Sequence, residues 1–332
     1  MKNTSKLLFF TMMIMGIILT MSSKNWLSMW VGLEINMMAF IPMLHKSKNN
    51  NSSEACMIYF LIQSAGSIIF LMSILSNMNM MISTEKSQNM TTMITTISMM
   101  IKLGLPPMHM WFPELLKKTS WMNNIILMTI QKIAPLTIMM NMIEKIPNLS
   151  WIIAMTSIIG SIGGLNQTSI QKIMGYSSIS HMSWMIAGMK YNSSFWMMYL
   201  IMYSTMTMMT ILMFKKNESY HINQTMNMKS TLEKISMMIM MMSLGGLPPL
   251  LGFFPKLIII QSMTMNNNYT LMLIMITMTL ITLFFYMRMI SMLMMLNTSN
   301  QKWNMNEYSN NKIPMMLIIT INTMLPMMMY NT

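Results

Sequence analysis

Long apolar runs alternate with short polar connections along this chain, and each run is about as long as a bilayer crossing. A spanning helix needs about 20 predominantly apolar residues. By that measure about eleven segments qualify: 7–22, 25–44, 54–78, 90–116, 123–143, 149–165, 170–188, 194–214, 235–262, 269–295 and 313–330. The predicted fold is therefore all-α and integral to a membrane. Lys2 and Lys6 precede the first run as in a signal peptide, but no small-residue cleavage site follows and the next span begins at once.

Two of these runs are interrupted in the same way. Gly104-Leu105-Pro106-Pro107 is followed after four residues by Phe112-Pro113-Glu114, and the frame recurs 142 residues later as Gly246-Leu247-Pro248-Pro249 and Phe254-Pro255-Lys256. Adjacent prolines remove two backbone donors and clash with the preceding turn, so both helices should be discontinuous, at 104–107 and at 245–249. The frames fall in the fourth and ninth spans, which run in opposite directions. That predicts two inverted five-helix repeats, at about 1–143 and 149–295, with 313–330 as an extra helix. No connection is long enough for a separate domain, so 1–332 is expected to form one polytopic membrane domain.

Composition narrows the class further. The chain is 54% hydrophobic and 9% charged, against about 25% charged residues in ordinary soluble domains. A net charge of +13 would suggest nucleic acid in a soluble protein, but in a membrane its distribution between loops matters more than its sum. With eleven spans, thirteen of the 21 basic residues fall on one side and four on the other; the remaining four, Lys102, Lys132, Lys256 and Arg288, lie inside spans. The positive-inside rule then puts the N-terminus inside and the C-terminus outside. The single cysteine, Cys56, excludes an internal disulfide, and no Cys/His cluster offers a zinc, iron-sulfur or haem site. The usage of 61 Met, one Arg and no Asp reads as an AT-rich gene in which AUA encodes Met, as in animal mitochondria.

Charges at membrane depth are the candidate chemistry. Glu34 and Lys132 lie near the middle of their spans, and Lys102 and Lys256 adjoin the two proline breaks. Each costs roughly 2.5 to 3.5 kcal/mol at a helix centre, so they should face the bundle interior and one another. Structural ion pairing is one reading. The other is proton carriage: three lysines cannot all pair with one carboxylate, and a buried ammonium without a partner gives up its proton more readily. Arg288, closer to the end of its span, reads as a structural residue that snorkels or pairs. His181 lies among Ser177, Ser178, Ser180 and Ser183 and is either a relay along a hydroxyl-rich stretch or a packing residue. His109 is a weaker candidate of the same kind. Gly160, Gly163 and Gly164 lack the Lys-Ser/Thr of a phosphate loop and read as helix-packing glycines.

Trp30 to Asn36, Lys102 to Gly104 with Pro107, His109, Trp111, Pro113 and Glu114, Gln131 to Pro135, Tyr176 to Ile179 with His181, and Gly245 to Pro249 through Lys256 resemble a known family across nearly the whole chain. This is the chain 2 family of antiporter-like membrane subunits in animal mitochondrial NADH-ubiquinone oxidoreductase, respiratory complex I. Pro106 departs from its pattern by doubling the proline at the first break. The resemblance implies an antiporter-like fold and a proton pathway through the Glu34–Lys102 pair, Lys132 and Lys256. It also implies other membrane-arm subunits and membrane lipids as partners, a mitochondrial inner-membrane location, and NADH, FMN, iron-sulfur clusters and ubiquinone on partner subunits, with no cofactor on this chain. A stand-alone cation/proton antiporter is the alternative, although that reading calls for an intramembrane Asp. A passive scaffold would leave the interior lysines unexplained.

Overall fold

A computed structural model describes residues 3–46, 49–79, 85–146, 148–192, 194–227 and 231–295. The expected extra span at 313–330 lies outside the described residues. Those described form α-helices joined by turns, two short 3-10 segments and an isolated bridge between Ser169 and His221. Among the described residues, six helical stretches are long and apolar enough to cross a membrane: Thr4–Ser22, Trp26–Leu44, Asn50–Asn77, Trp121–Lys145, Phe195–Lys216 and Tyr269–Met294. The chain divides into two compact units, Met1–Ile152 and Ile153–Thr332.

The first unit contains α1 (Asn3–Ser22), α2 (Trp26–Leu44), α3 (Asn50–Asn79), α4 (Glu85–Leu103), α5 (Trp111–Lys118), α6 (Trp121–Met128) and α7 (Ile130–Met142). Helices α1 and α2 cross with Gly16 against Gly32, so closely that a Cβ on Gly16 would lie 2.9 Å from the Gly32 carbonyl oxygen. Small residues permit this backbone approach where no hydrophobic effect drives helices together in lipid. Helix α7 packs on α1, α2, α4 and α6, which makes it the centre of this unit.

The span at 123–143, expected to be continuous, is broken at Thr129. The Thr129 hydroxyl and amide share the Ile125 carbonyl, at 2.7 and 3.0 Å, and Pro135 leaves the Gln131 carbonyl without its helical N–H. Beyond the break, the Lys132 amide turns to the Thr129 carbonyl, three residues back, at 3.3 Å.

The second unit holds most of α8 (Leu149–Leu165), then α9 (Ile170–Tyr191), α10 (Phe195–Lys216), α11 (Thr231–Gly245), α12 (Phe253–Met265) and α13 (Tyr269–Met295). Helix α9 is buried from Ile170 to Met189 at every position but Lys172. It packs against α10, α12 and α13. At 1.5 Å per residue it is about 33 Å long, yet it falls outside the six strongly apolar spans, because a helix screened by its neighbours can carry serines and a histidine without exposing them to lipid. Its small residues face α8: a Cβ on Gly160 would come within 2.6 Å of the Ser180 amide, and Gly163 lies against the Tyr176 ring. The glycines of this stretch are packing residues. Arg288 of α13 donates to the carbonyls of Leu165 and Gln167 at 2.5 and 2.8 Å, capping the C-terminal end of α8.

Candidate functional site

Both proline frames end a helix by the same device. At α4 the Gly104 and Leu105 amides bond back to the carbonyls of Ile101 and Met100, at 3.2 and 2.9 Å; at α11 the Gly246 and Leu247 amides reach Ser243 and Met242, at 3.0 and 3.2 Å. This is the Schellman arrangement, with glycine in the left-handed region: φ is 68° at Gly104 and 81° at Gly246. The chain resumes as helix only at Trp111 and at Phe253, so the gaps are wider than the expected 104–107 and 245–249 and the second begins one residue later.

In the first unit Lys102 occupies the last turn of α4 and lies across Gly66 of α3, where a Cβ would come within 2.9 Å of its Cγ. Its backbone carbonyl accepts a hydrogen bond from the Gln63 side-chain amide at 3.0 Å. Lys132, just past the Thr129 break, is equally buried, and its Nζ stands 5.4 Å from the centroid of the Phe112 ring. Both lysines line one cavity of about 20 Å³, together with Asn36, Tyr59, Gln63, Trp111 and Gln131. That volume holds about one water molecule. Glu34 lies on α2, half-buried and outside the cavity lining. It interacts electrostatically with Lys102 but forms no contact ion pair with it.

Three polar residues without an assigned role in the sequence reading form a hydrogen-bonded chain around this cavity. The Tyr59 hydroxyl of α3 donates to Gln131 Oε1 of α7 at 3.1 Å, and Gln131 Nε2 donates to Asn36 Oδ1 of α2 at 3.0 Å. Asn36 and Gln131 fall in stretches that carry the family resemblance and Tyr59 does not; beyond that, polarity within apolar spans was their signal, and it does not say which residues will meet. Trp111 also lines the cavity, and its buried indole N–H has no hydrogen-bond partner among the described residues.

In the second unit Lys256, in the first turn of α12, donates to the Gly245 carbonyl at 2.9 Å and thereby caps the end of α11. Gly246 leaves room for it, since a Cβ there would meet the ammonium at 2.6 Å. His181 of α9 bonds through Nδ1 to the Tyr199 hydroxyl at 2.8 Å, and its ring centroid is 4.9 Å from that of Tyr203. The serine hydroxyls beside it donate to carbonyls three residues back in α9, at 2.6 to 2.8 Å. They therefore present lone pairs, while His181 bonds across to Tyr199 of α10 and packs beside Tyr203 of the same helix. His109 sits inside the first break, its Nδ1 3.2 Å from the Pro107 carbonyl.

The helical architecture of the described residues is shared with known proteins. Residues 23–282 match the family described as NADH:quinone oxidoreductase/Mrp antiporter, transmembrane. NADH-ubiquinone oxidoreductase chain 2 of Locusta migratoria is 43% identical over 90% of this chain and 88% of its own length. The chain belongs to the NADH-ubiquinone oxidoreductase chain 2 family. Solved structures give the same fold at low identity. A chain of respiratory complex I from Thermus thermophilus with bound aureothin superposes with a TM-score of 0.81, at 18% identity, over 88% of this chain and 71% of that one. A chain of the archaeal membrane-bound sulfane sulfur reductase, a respiratory membrane complex, gives 0.80 at 16% identity over 97% and 73%. In this chain each unit contains an interrupted helix with a buried lysine beside it, Lys102 in the first and Lys256 in the second.

Proposed function

We propose that this chain is a core membrane-arm subunit of respiratory complex I, contributing a proton pathway coupled to electron transfer from NADH to ubiquinone. The observation that carries the reading is the pair of buried lysines, Lys102 and Lys132, sharing a cavity the size of a water molecule inside the fold of this family. Glu34 holds Lys102 charged in one state, and weakening that interaction releases its proton to Lys132 for onward relay towards Lys256, with His181 as a further relay. The electrostatics are of adequate size. Two charges about 4 Å apart at an effective dielectric of ~20 attract by ~4 kcal/mol, against about 2.3 kcal/mol to move one charge through 100 mV.

The finer architecture proposed is eleven spans, in two inverted five-helix repeats with 313–330 as the extra helix. The identical glycine-ended interruptions of α4 and α11 support it. The location proposed is the mitochondrial inner membrane, N-terminus in the matrix and C-terminus in the intermembrane space, on the lysine asymmetry of the loops. NADH, FMN, iron-sulfur clusters and ubiquinone belong to partner subunits, and the neighbours are other membrane-arm chains and lipid. The deciding experiment measures protons translocated per NADH oxidised by the assembled complex in sealed vesicles. Lys102→Met and Lys132→Met should each lower that ratio; an unchanged ratio in both returns these lysines to a structural role.

A further inference from the structure

The hydrogen-bonded chain Tyr59–Gln131–Asn36 draws one member from each of three helices, and all three members line the cavity shared by Lys102 and Lys132. Gln131 and Asn36 carry side-chain amides, each with a donor end and an acceptor end that a half-turn exchanges. The chain therefore has two polarities. In the one observed, the phenol donates to Gln131 and Gln131 donates to Asn36. In the reverse, Asn36 donates to Gln131, Gln131 donates to the phenol oxygen, and the Tyr59 O–H is released towards the cavity.

We propose that Tyr59, Gln131 and Asn36 are positioning residues that switch proton hand-over between Lys102 and Lys132 by setting the orientation of one water in the cavity they line. This rests on the proton-pathway reading above. In the observed polarity the Tyr59 oxygen offers lone pairs only, so a cavity water gives it one hydrogen and turns its other hydrogen to the amine of Lys132. The water's own lone pairs then face the Lys102 ammonium and the otherwise unpartnered N–H of Trp111. One proton passes from Lys102 to the water oxygen as the water releases one of its own to Lys132. Lys102 ends neutral, Lys132 ends charged, and the water is regenerated. In the reverse polarity the Tyr59 hydroxyl donates into a lone pair that Lys102 needs, and hand-over stops.

Tyr59, Gln131 and Asn36 are held by hydrogen bonds to one another rather than by charge, which lets the orientation of the water change without moving an ion. Asn36 lies two residues beyond Glu34 on α2, so a shift of that helix reaches both the carboxylate that attracts Lys102 and the far end of the switch.

The test uses the assembled complex in sealed vesicles and reads protons translocated per NADH oxidised, normalised to assembled complex on a native gel. Tyr59→Phe, which keeps the ring and removes the hydroxyl, and Gln131→Met, which keeps the length and removes both hydrogen bonds, should each lower the ratio as far as Lys132→Met does. Tyr59→Phe combined with Lys132→Met should go no lower, because the groups act on one transfer. A purely structural role predicts less assembled complex at an unchanged ratio. That result, or an additive double variant, overturns the proposal. Should Tyr59→Phe fail to assemble, Gln131→Met decides. An unchanged ratio in Lys132→Met overturns the switch, and together with an unchanged ratio in Lys102→Met overturns the pathway reading as well, whereas a fall in Lys132→Met without one in the Tyr59 and Gln131 variants overturns the switch alone.

Discussion

The two interrupted helices use one backbone solution and place their charge on opposite sides of it. Each ends on a left-handed glycine, a leucine that closes the last turn, and two prolines. At the first, the lysine lies before the break, at Lys102, and a neutral amide from Gln63 serves the helix end; at the second, the lysine lies after the break, at Lys256, and serves the helix end itself. Position for position in the repeated frame, Lys102 corresponds to Leu244 and Lys256 to Glu114, which is exposed. The repeat thus dictates where the helix stops, because the glycine and prolines act through the backbone alone. It leaves open which neighbour answers the negative end of the helix dipole. An ammonium bonded to that end has a structural duty that Lys102 lacks.

The largest expected effect exploits this difference. Lys256→Met should lower both thermal stability and protons pumped per NADH, since it leaves the Gly245 carbonyl buried without its donor, a loss of about 1–3 kcal/mol. Lys102→Met should lower pumping with little change in melting temperature of the assembled complex. Equal melting temperatures in the two variants would erase the distinction. Next come the glycines. Gly104→Ala incurs the left-handed penalty, about 1–2 kcal/mol, and a tight 3.0 Å contact with Phe112 Cβ, whereas Gly246→Ala incurs the penalty and displaces Lys256, whose Nζ lies 2.6 Å from the new Cβ. Thermal denaturation should rank Gly246→Ala below Gly104→Ala; the reverse order would mean that Lys256 is not held as described.

A smaller effect is expected for Gly66→Ala. The added methyl meets the Lys102 stem rather than backbone, at 2.9 Å from Cγ, and the side chain can shift by a few tenths of an ångström. Stability should fall by about 1 kcal/mol or less, with the pumping ratio the more sensitive readout. The smallest change expected is Arg288→Lys, which keeps one of two hydrogen bonds to the end of α8 and should leave pumping unaltered at a loss of about 1 kcal/mol. A changed proton ratio there would give Arg288 a role that its geometry does not.

Much of the scaffold could be read along the chain. The apolar runs, the two proline breaks and the packing glycines Gly160, Gly163 and Gly164 are local properties: length against a bilayer, a missing N–H, a missing Cβ. So is the burial of Lys102, Lys132 and Lys256, because lipid forbids the alternative. The break at Thr129 was less visible, since a single proline inside a helix bends or breaks it according to how its neighbours satisfy the freed carbonyl.

What the sequence determined by itself is the class of structure, the position of the helix ends at glycine and proline, and the family to which the chain belongs. These follow from solvent and backbone, which act residue by residue. Only the tertiary structure decided that Tyr59, Gln131 and Asn36 meet between two lysines, that Glu34 stops short of contact with Lys102, that tyrosines of α10 answer His181, and that Lys256 caps the helix before it. A hydrogen bond needs its partners within about 3 Å and well aligned, and residues as far apart in the chain as Asn36 and Gln131 reach that geometry only through the rotation and crossing of whole helices.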